Sequence, residues 1–289
     1  MTDGYSEHTY SAQDGLKLYY RDYDIAPAGE IPVVCLPGLT RNTKDFHDIA
    51  MHLSPKRRVL SLDMRGRGMS AYDPDWSNYT VAQEVSDIIA FLAVARIHGA
   101  IFLGTSRGGL DIFAMTAARP TTIKGAILVD IGPEIDPRGI ARISSYMIDE
   151  TVEFKDWDQA AAALKRFDKG QVENLEDAAW LAYAKRIFVR NNGVITSDYD
   201  PNLTKAFSND SRDVSTLNLW PYFHALKRVP LLTLRGGNSD LLSDETFAAM
   251  QKEAPDMLAV TVKDRGHVPF LDEPECVSAI DELVSHVPA

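Results

Sequence analysis

Ser106 stands in Gly104-Thr105-Ser106-Arg107-Gly108, between the apolar run Ala100-Ile101-Phe102-Leu103 and a helical pattern beginning at Arg107. The flanking glycines permit a strand-to-helix turn that a Cβ would obstruct. Such a turn lifts the hydroxyl into a cleft beside the positive end of the following helix. A serine hydroxyl is a weak nucleophile and needs a base. Of seven histidines, His267 is the expected base: it sits in Gly266-His267-Val268-Pro269, after the last expected strand and before the last helix. The base needs an acceptor that holds its tautomer and stabilises the imidazolium. Asp240, which follows the run Pro230 to Leu234, is the expected acceptor. Asp130, at the end of Ala126 to Val129, is the alternative acid.

Acyl transfer also needs donors where charge develops on oxygen. The backbone N–H of Arg107, directly after the nucleophile, is one expected donor. The N–H of Leu39, in the turn Leu36-Pro37-Gly38-Leu39-Thr40, is the other. Arg41 and Arg107 neighbour these donors and are candidates to grip an anionic substrate group with two hydrogen bonds. The competing expectation is that they pair with acids such as Asp45 and Asp111. The segment Asp63 to Ser70 reads as a glycine-rich turn that buttresses the site, rather than one that offers Arg65 or Arg67 to substrate.

These groups need a frame. Alternating runs from Tyr5 to Gln13 and from Leu16 to Asp24 flank Asp14-Gly15, a hairpin signal. Continuous apolar runs follow at 32–36, 58–62, 100–103, 125–129, 230–234 and 257–262, as expected of parallel strands covered on both faces. Helical patterns lie between them. Thr80-Val81-Ala82-Gln83 reads as a capping box opening a helix to Ala95. Pro120 ends the helix that starts at Arg107. Asp244 to Glu253 and Pro274 to His286 supply two more. The pattern predicts an α/β fold with a mostly parallel sheet and helices on both faces.

The alternation stops between Pro133 and Arg228, where helical patterns dominate and no buried strand is predicted. The expected organisation is a core over 1–132, a helical cap over 133–229 inserted after the sixth strand, and the rest of the core over 230–289. Trp157, Trp180 and Trp220 fall in the insertion, as does His224, and all four are candidate pocket residues. Loops leaving the carboxyl ends of strands are where such sheets build ligand sites.

Composition bounds the function. The 289 residues carry 30 Lys and Arg against 41 Asp and Glu, a net charge of −11, so a broad phosphate-binding surface is not expected. No run approaches the ~18 apolar residues of a membrane span. Met1-Thr2-Asp3-Gly4 lacks a basic region leading into an apolar stretch, so no secretory signal is expected. Cys35 and Cys276 are too few for a disulfide framework or a four-cysteine zinc site, which fits reduced thiols in a cytoplasmic protein. No acidic or histidine cluster has metal-ligand spacing. The expectation is a small-molecule substrate, no nucleic acid, no metal or cofactor, and a monomer or homodimer.

The sequence resembles the α/β-hydrolase fold superfamily. The resemblance rests on Gly104-Thr105-Ser106-Arg107-Gly108-Gly109, Leu36-Pro37-Gly38-Leu39, Asp63-Met64-Arg65-Gly66-Arg67-Gly68-Met69-Ser70, Ser239-Asp240 and Gly266-His267. It spans the first hairpin to the final helix, with no motif in the insertion. It implies an eight-stranded sheet, a helical cap and serine hydrolysis without a cofactor, closest to the capped esterase, lactonase and carbon–carbon hydrolase branch. Two departures stand out: Pro37-Gly38 replaces the His-Gly of many relatives, and Arg107 replaces an apolar residue after the nucleophile. Ser106 argues against the epoxide and carbon–halogen chemistry of relatives that use an aspartate there. The expected reaction is hydrolysis of a small or medium ester or lactone. Carbon–carbon cleavage of a diketone-type product is the alternative, and a small-molecule receptor on the same scaffold is a third reading.

Overall fold

A computed structural model of the chain describes residues 4–25, 29–147, 152–214 and 218–288. Most of the Met1-to-Gly4 segment and short stretches of the insertion at 148–151 and 215–217 therefore lie outside the described residues. Strands β1 (Ser6–Ser11) and β2 (Lys17–Tyr23) form the antiparallel hairpin about Asp14-Gly15. Then come β3 (Val33–Leu36), α1 (His47–Leu53), β4 (Val59–Asp63), α2 (Val81–Val94), β5 (Ala100–Thr105), α3 (Arg107–Ala118) and β6 (Ile123–Val129). After an insertion, the core resumes with β9 (Leu231–Gly236), α9 (Asp244–Glu253), β10 (Leu258–Val262) and α10 (Pro274–Ser285).

The eight core strands form one sheet in the order β1-β2-β4-β3-β5-β6-β9-β10. The two hairpin strands join it antiparallel, and the other neighbours are parallel. Burial on both faces explains the uninterrupted apolar runs. Val34, Leu60, Phe102 and Leu128 pack towards α2 and α3 on one face. Val33, Val59, Ile101 and Ile127 pack towards α1 and α10 on the other. The Thr80 hydroxyl caps α2 by accepting from Gln83 N–H at 3.2 Å. The Gln83 side chain turns to Asp87 instead of closing the box.

The insertion between β6 and β9 contains α4 (Pro137–Met147), α5 (Trp157–Phe167), α6 (Asp177–Ile187), β7 (Phe188–Asn191), β8 (Val194–Ser197), α7 (Leu203–Val214) and α8 (Trp220–Leu226). The β7–β8 hairpin adds a short, largely unburied strand pair to an insertion expected to be dominated by helices. Its turn is Asn192-Gly193, with both residues at positive φ, a pair that favours tight hairpins. Each strand has only four residues, too short for an apolar run to stand out. Among the described residues, no helix is long and apolar enough to cross a membrane.

Candidate active site

The sharp turn between β5 and α3 holds Ser106 at φ 51° and ψ −110°, outside the regions L residues ordinarily occupy. The turn closes only because glycines flank it. A Cβ on Gly108 would lie 2.2 Å from the Leu36 carbonyl oxygen. The strain places the hydroxyl beyond the carboxyl edge of the sheet. There His267 Nε2 lies 2.8 Å from Ser106 Oγ. The other ring nitrogen, Nδ1, lies 2.6 Å from Asp130 Oδ2.

The acid on the histidine is therefore Asp130, and the expectation of Asp240 is corrected. Asp130 leaves β6 at φ 52° and is fully buried. Its carboxylate also accepts from Ser239 Oγ at 2.6 Å and from Gly236 N–H at 2.8 Å. Consecutive side chains diverge in the turn after β9: Ser239 reaches back to Asp130, while Asp240 meets Arg142 of α4 at 2.6 and 3.0 Å. Asp240 thus ties the insertion to the core, with its lone pairs spent on a guanidinium. No local spacing marks Ser239 as a partner of the Asp130 carboxylate.

The turn after β3 runs beside Ser106. A Cβ on Gly38 would lie 3.8 Å from Ser106 Cβ, and Leu39 lines the same cavity as Ser106. Arg107 opens α3, so its N–H lies in the first turn, where helix amides point out of the N-terminal end. Its side chain runs away from the site. Arg107 Nε lies 2.7 Å from the buried Glu84 carboxylate, whose other oxygen lies 2.8 Å from Arg67 Nη1. Arg67 Nε in turn donates to the Leu39 carbonyl. One carboxylate thus braces both the residue after Ser106 and the turn facing it. Arg65 is likewise buried, held by Asp73 and Asp87. Neither Arg65 nor Arg67 reaches the cavity.

The sequence profile of the Alpha/beta hydrolase family matches residues 33–279. The chain belongs to this family. It is 30% identical over 255 residues to a 3-hydroxybutyrate-oligomer hydrolase of Cupriavidus necator, covering 86% of each chain. It is 24% identical over 254 residues to Esterase YbfF of Escherichia coli, covering 85% of this chain and 89% of that one. Among solved structures, an alpha/beta hydrolase from Novosphingobium aromaticivorans superposes with a TM-score of 0.94 at 40% identity, over 98% of this chain and 99% of that one.

Within this alpha/beta hydrolase, Ser106 and His267 open into a cavity of about 220 Å³. The insertion supplies its apolar wall: Ile143, Tyr146, Leu164, Phe167, Phe188 and Tyr199. The aromatic residues singled out in sequence are elsewhere, a second correction. Trp180 is buried in the insertion's own small core with Leu164, Ala184 and Ile195. Trp157 packs on that same core, with Arg190 over its ring. Trp220 Nε1 donates to Glu134 at 2.7 Å, and His224 faces Glu253 outside the cavity. Helical spacing cannot distinguish a residue facing its own helix pair from one facing the cavity between layers. For the two arginines beside the expected oxyanion donors, the structure favours pairing with acids over a free anion grip. Arg41 lines the cavity, but its Nε and Nη2 hold Asp45 at 2.7 and 2.5 Å. Arg107 pairs with Glu84.

The insertion also touches the histidine. Gln171 Oε1 accepts from His267 N–H at 3.2 Å, and Asn238 Nδ2 donates to the Gln171 carbonyl. Gln171 carried no sequence signal. Losing a neutral hydrogen bond of this kind costs about 1 kcal/mol. Gln171→Ala is expected to lower kcat roughly 3–10-fold with little change in Tm. Steady-state kinetics beside thermal melting checks this.

Proposed function

We propose that the chain is a serine hydrolase that cleaves a small or medium carboxylic ester or lactone through an acyl-enzyme on Ser106. The observation that carries this reading is the Ser106–His267–Asp130 hydrogen-bond chain, with spacings of 2.8 and 2.6 Å, opening into the cavity. His267 takes the Ser106 proton as Oγ attacks the carbonyl carbon. Asp130 holds the ring so that Nδ1 carries a proton and Nε2 accepts. The Leu39 and Arg107 N–H groups stabilise the tetrahedral oxyanion. His267 then protonates the departing alcohol. A water, deprotonated by His267, attacks the acyl carbon and releases the acid. The helical insertion, over 133–229, acts as the cap that keeps the acyl chain from bulk water.

Two relatives support an ester as the bond. One is named an esterase and one an oligomer hydrolase of 3-hydroxybutyrate, a monomer whose acid and hydroxyl groups can join as esters. The test is labelling with an alkyl fluorophosphonate, followed by peptide mapping. The expected result is one adduct, on the peptide containing Ser106, accompanied by loss of aryl-ester hydrolysis. Full hydrolysis by a protein that never takes up the probe would overturn the reading.

A further inference from the structure

Asp168, at the end of α5, is only 8% exposed and lines the cavity that Ser106 opens into. Among the described residues no donor hydrogen-bonds its side-chain oxygens, although its backbone carbonyl accepts from Gln171 and Val172 N–H. Its side chain lines the cavity with acceptor capacity unused by the protein, so a group entering the cavity can supply the donor. Its surroundings narrow the ligand. Arg41, from the turn after β3, and Arg142, from α4, line the same cavity and act on it through their charge, and Tyr146 and Tyr183 line it too. Each guanidinium is already neutralised, Arg41 by Asp45 and Arg142 by Asp240, through Nε and Nη2.

A second carboxylate placed here would meet Asp168 head-on. An ammonium would meet two guanidiniums. A neutral hydroxyl fits both neighbours: it donates to the Asp168 carboxylate and accepts from a guanidinium N–H that Asp45 and Asp240 do not use. The acyl chain stays tethered to Ser106 while the alcohol departs, so a fixed polar group in the cavity serves the acyl part through both half-reactions.

We propose that Asp168 is the specificity-determining residue of this site, binding a hydroxyl on the acyl chain, and that the substrates are hydroxyacyl esters. This rests on the ester-hydrolase reading above.

The experiment compares 4-nitrophenyl 3-hydroxybutanoate with 4-nitrophenyl butanoate. The parent protein is expected to favour the hydroxy ester in kcat/KM by roughly 10–100-fold, the range for a hydrogen bond to a charged group. In Asp168→Asn and Asp168→Leu the ratio falls towards 1. Burial, opposed by Arg142 and Arg41, raises the Asp168 carboxyl to about 6. The parent's ratio therefore narrows as pH falls through about 6, and in Asp168→Leu it is flat with pH. A parent ratio near 1, or a ratio retained in both variants, overturns the proposal. Should the variants fail to fold, calorimetry on Ser106→Ala with methyl 3-hydroxybutanoate and methyl butanoate decides: equal affinities overturn it, and a tenfold or greater preference supports it. Hydrolysis of both esters without discrimination removes only this inference. No hydrolysis of either, with Ser106 unlabelled by fluorophosphonate, removes the ester reading and this inference with it.

Discussion

Asp130→Asn is expected to lower kcat on an aryl ester by about 10⁴-fold, while Asp240→Asn leaves it within about tenfold of the parent. The two aspartates lie near the same sheet edge, and the contrast decides which one serves the histidine. Asp130 Oδ2 is 2.6 Å from His267 Nδ1, whereas both oxygens of Asp240 are held by Arg142. An amide at position 130 can present its NH₂ to Nδ1 and stabilise the tautomer whose proton sits on Nε2. That ring can no longer accept from Ser106, and the imidazolium loses its counter-charge. The neighbours Ser239 and Gly236 both donate to the Asp130 carboxylate, so an amide at 130 also loses acceptor capacity there. Asp240→Asn weakens one tie between α4 and the core, an effect expected in KM and Tm before kcat. Steady-state kinetics on both variants, with the rate of fluorophosphonate labelling as a second readout, provides the check. Equal losses in the two variants would return Asp240 to the role of the acid.

Glu84→Ala is expected to destabilise the fold by about 3–5 kcal/mol and to lower kcat by roughly 10–100-fold in whatever protein remains folded. Glu84 is fully buried, and its two oxygens face Arg67 at 2.8 Å and Arg107 at 2.7 Å. Desolvation alone would raise its pKa, but the two guanidiniums outweigh it and hold the carboxyl well below the usual range. The sign follows from that depression. The contribution of Glu84 to stability is present above the unfolded-state pKa near ~4.3 and is lost as pH falls through the lower folded value. Removing the carboxylate leaves two buried guanidiniums without their shared counter-charge, the costly way to break a buried ion pair. The kinetic effect comes through position: Arg67 donates to the Leu39 carbonyl, and Arg107 directly follows Ser106. Glu84→Gln is expected to cost less. The glutamine amide oxygen can still accept from one of the two guanidiniums, so less of the pairing is lost. Urea unfolding at pH 7 and pH 4, with kcat and KM on one ester, separates the two effects. A Glu84→Ala protein that melts and turns over like the parent would remove the bracing role.

Local patterns in the chain specified the sheet, because burial on both faces forces continuous apolar runs and the connections between them read as amphipathic helices. The hairpin at Asp14-Gly15, the cap on α2 and the bounds of α9 follow from neighbours within a few residues. Ser106 and His267 were legible for the same reason, since each sits where an expected strand ends in a glycine-containing turn. Three things were decided only in three dimensions. The first is the histidine's carboxylate partner: Asp130 directly follows β6 and Asp240 lies in the turn after the neighbouring β9, and only the course of that turn, with Ser239 inward and Asp240 outward, selects between them. The second is the lining of the cavity, where Trp180 satisfies a local core while Tyr146 and Tyr199, without any motif, face the nucleophile's side. The third is the charge pairing, in which Glu84, Arg67 and Arg107 meet from separate segments. A side chain's period tells which face of its own element it occupies, but its partner is set by the packing of layers distant in the chain, and no local spacing encodes that.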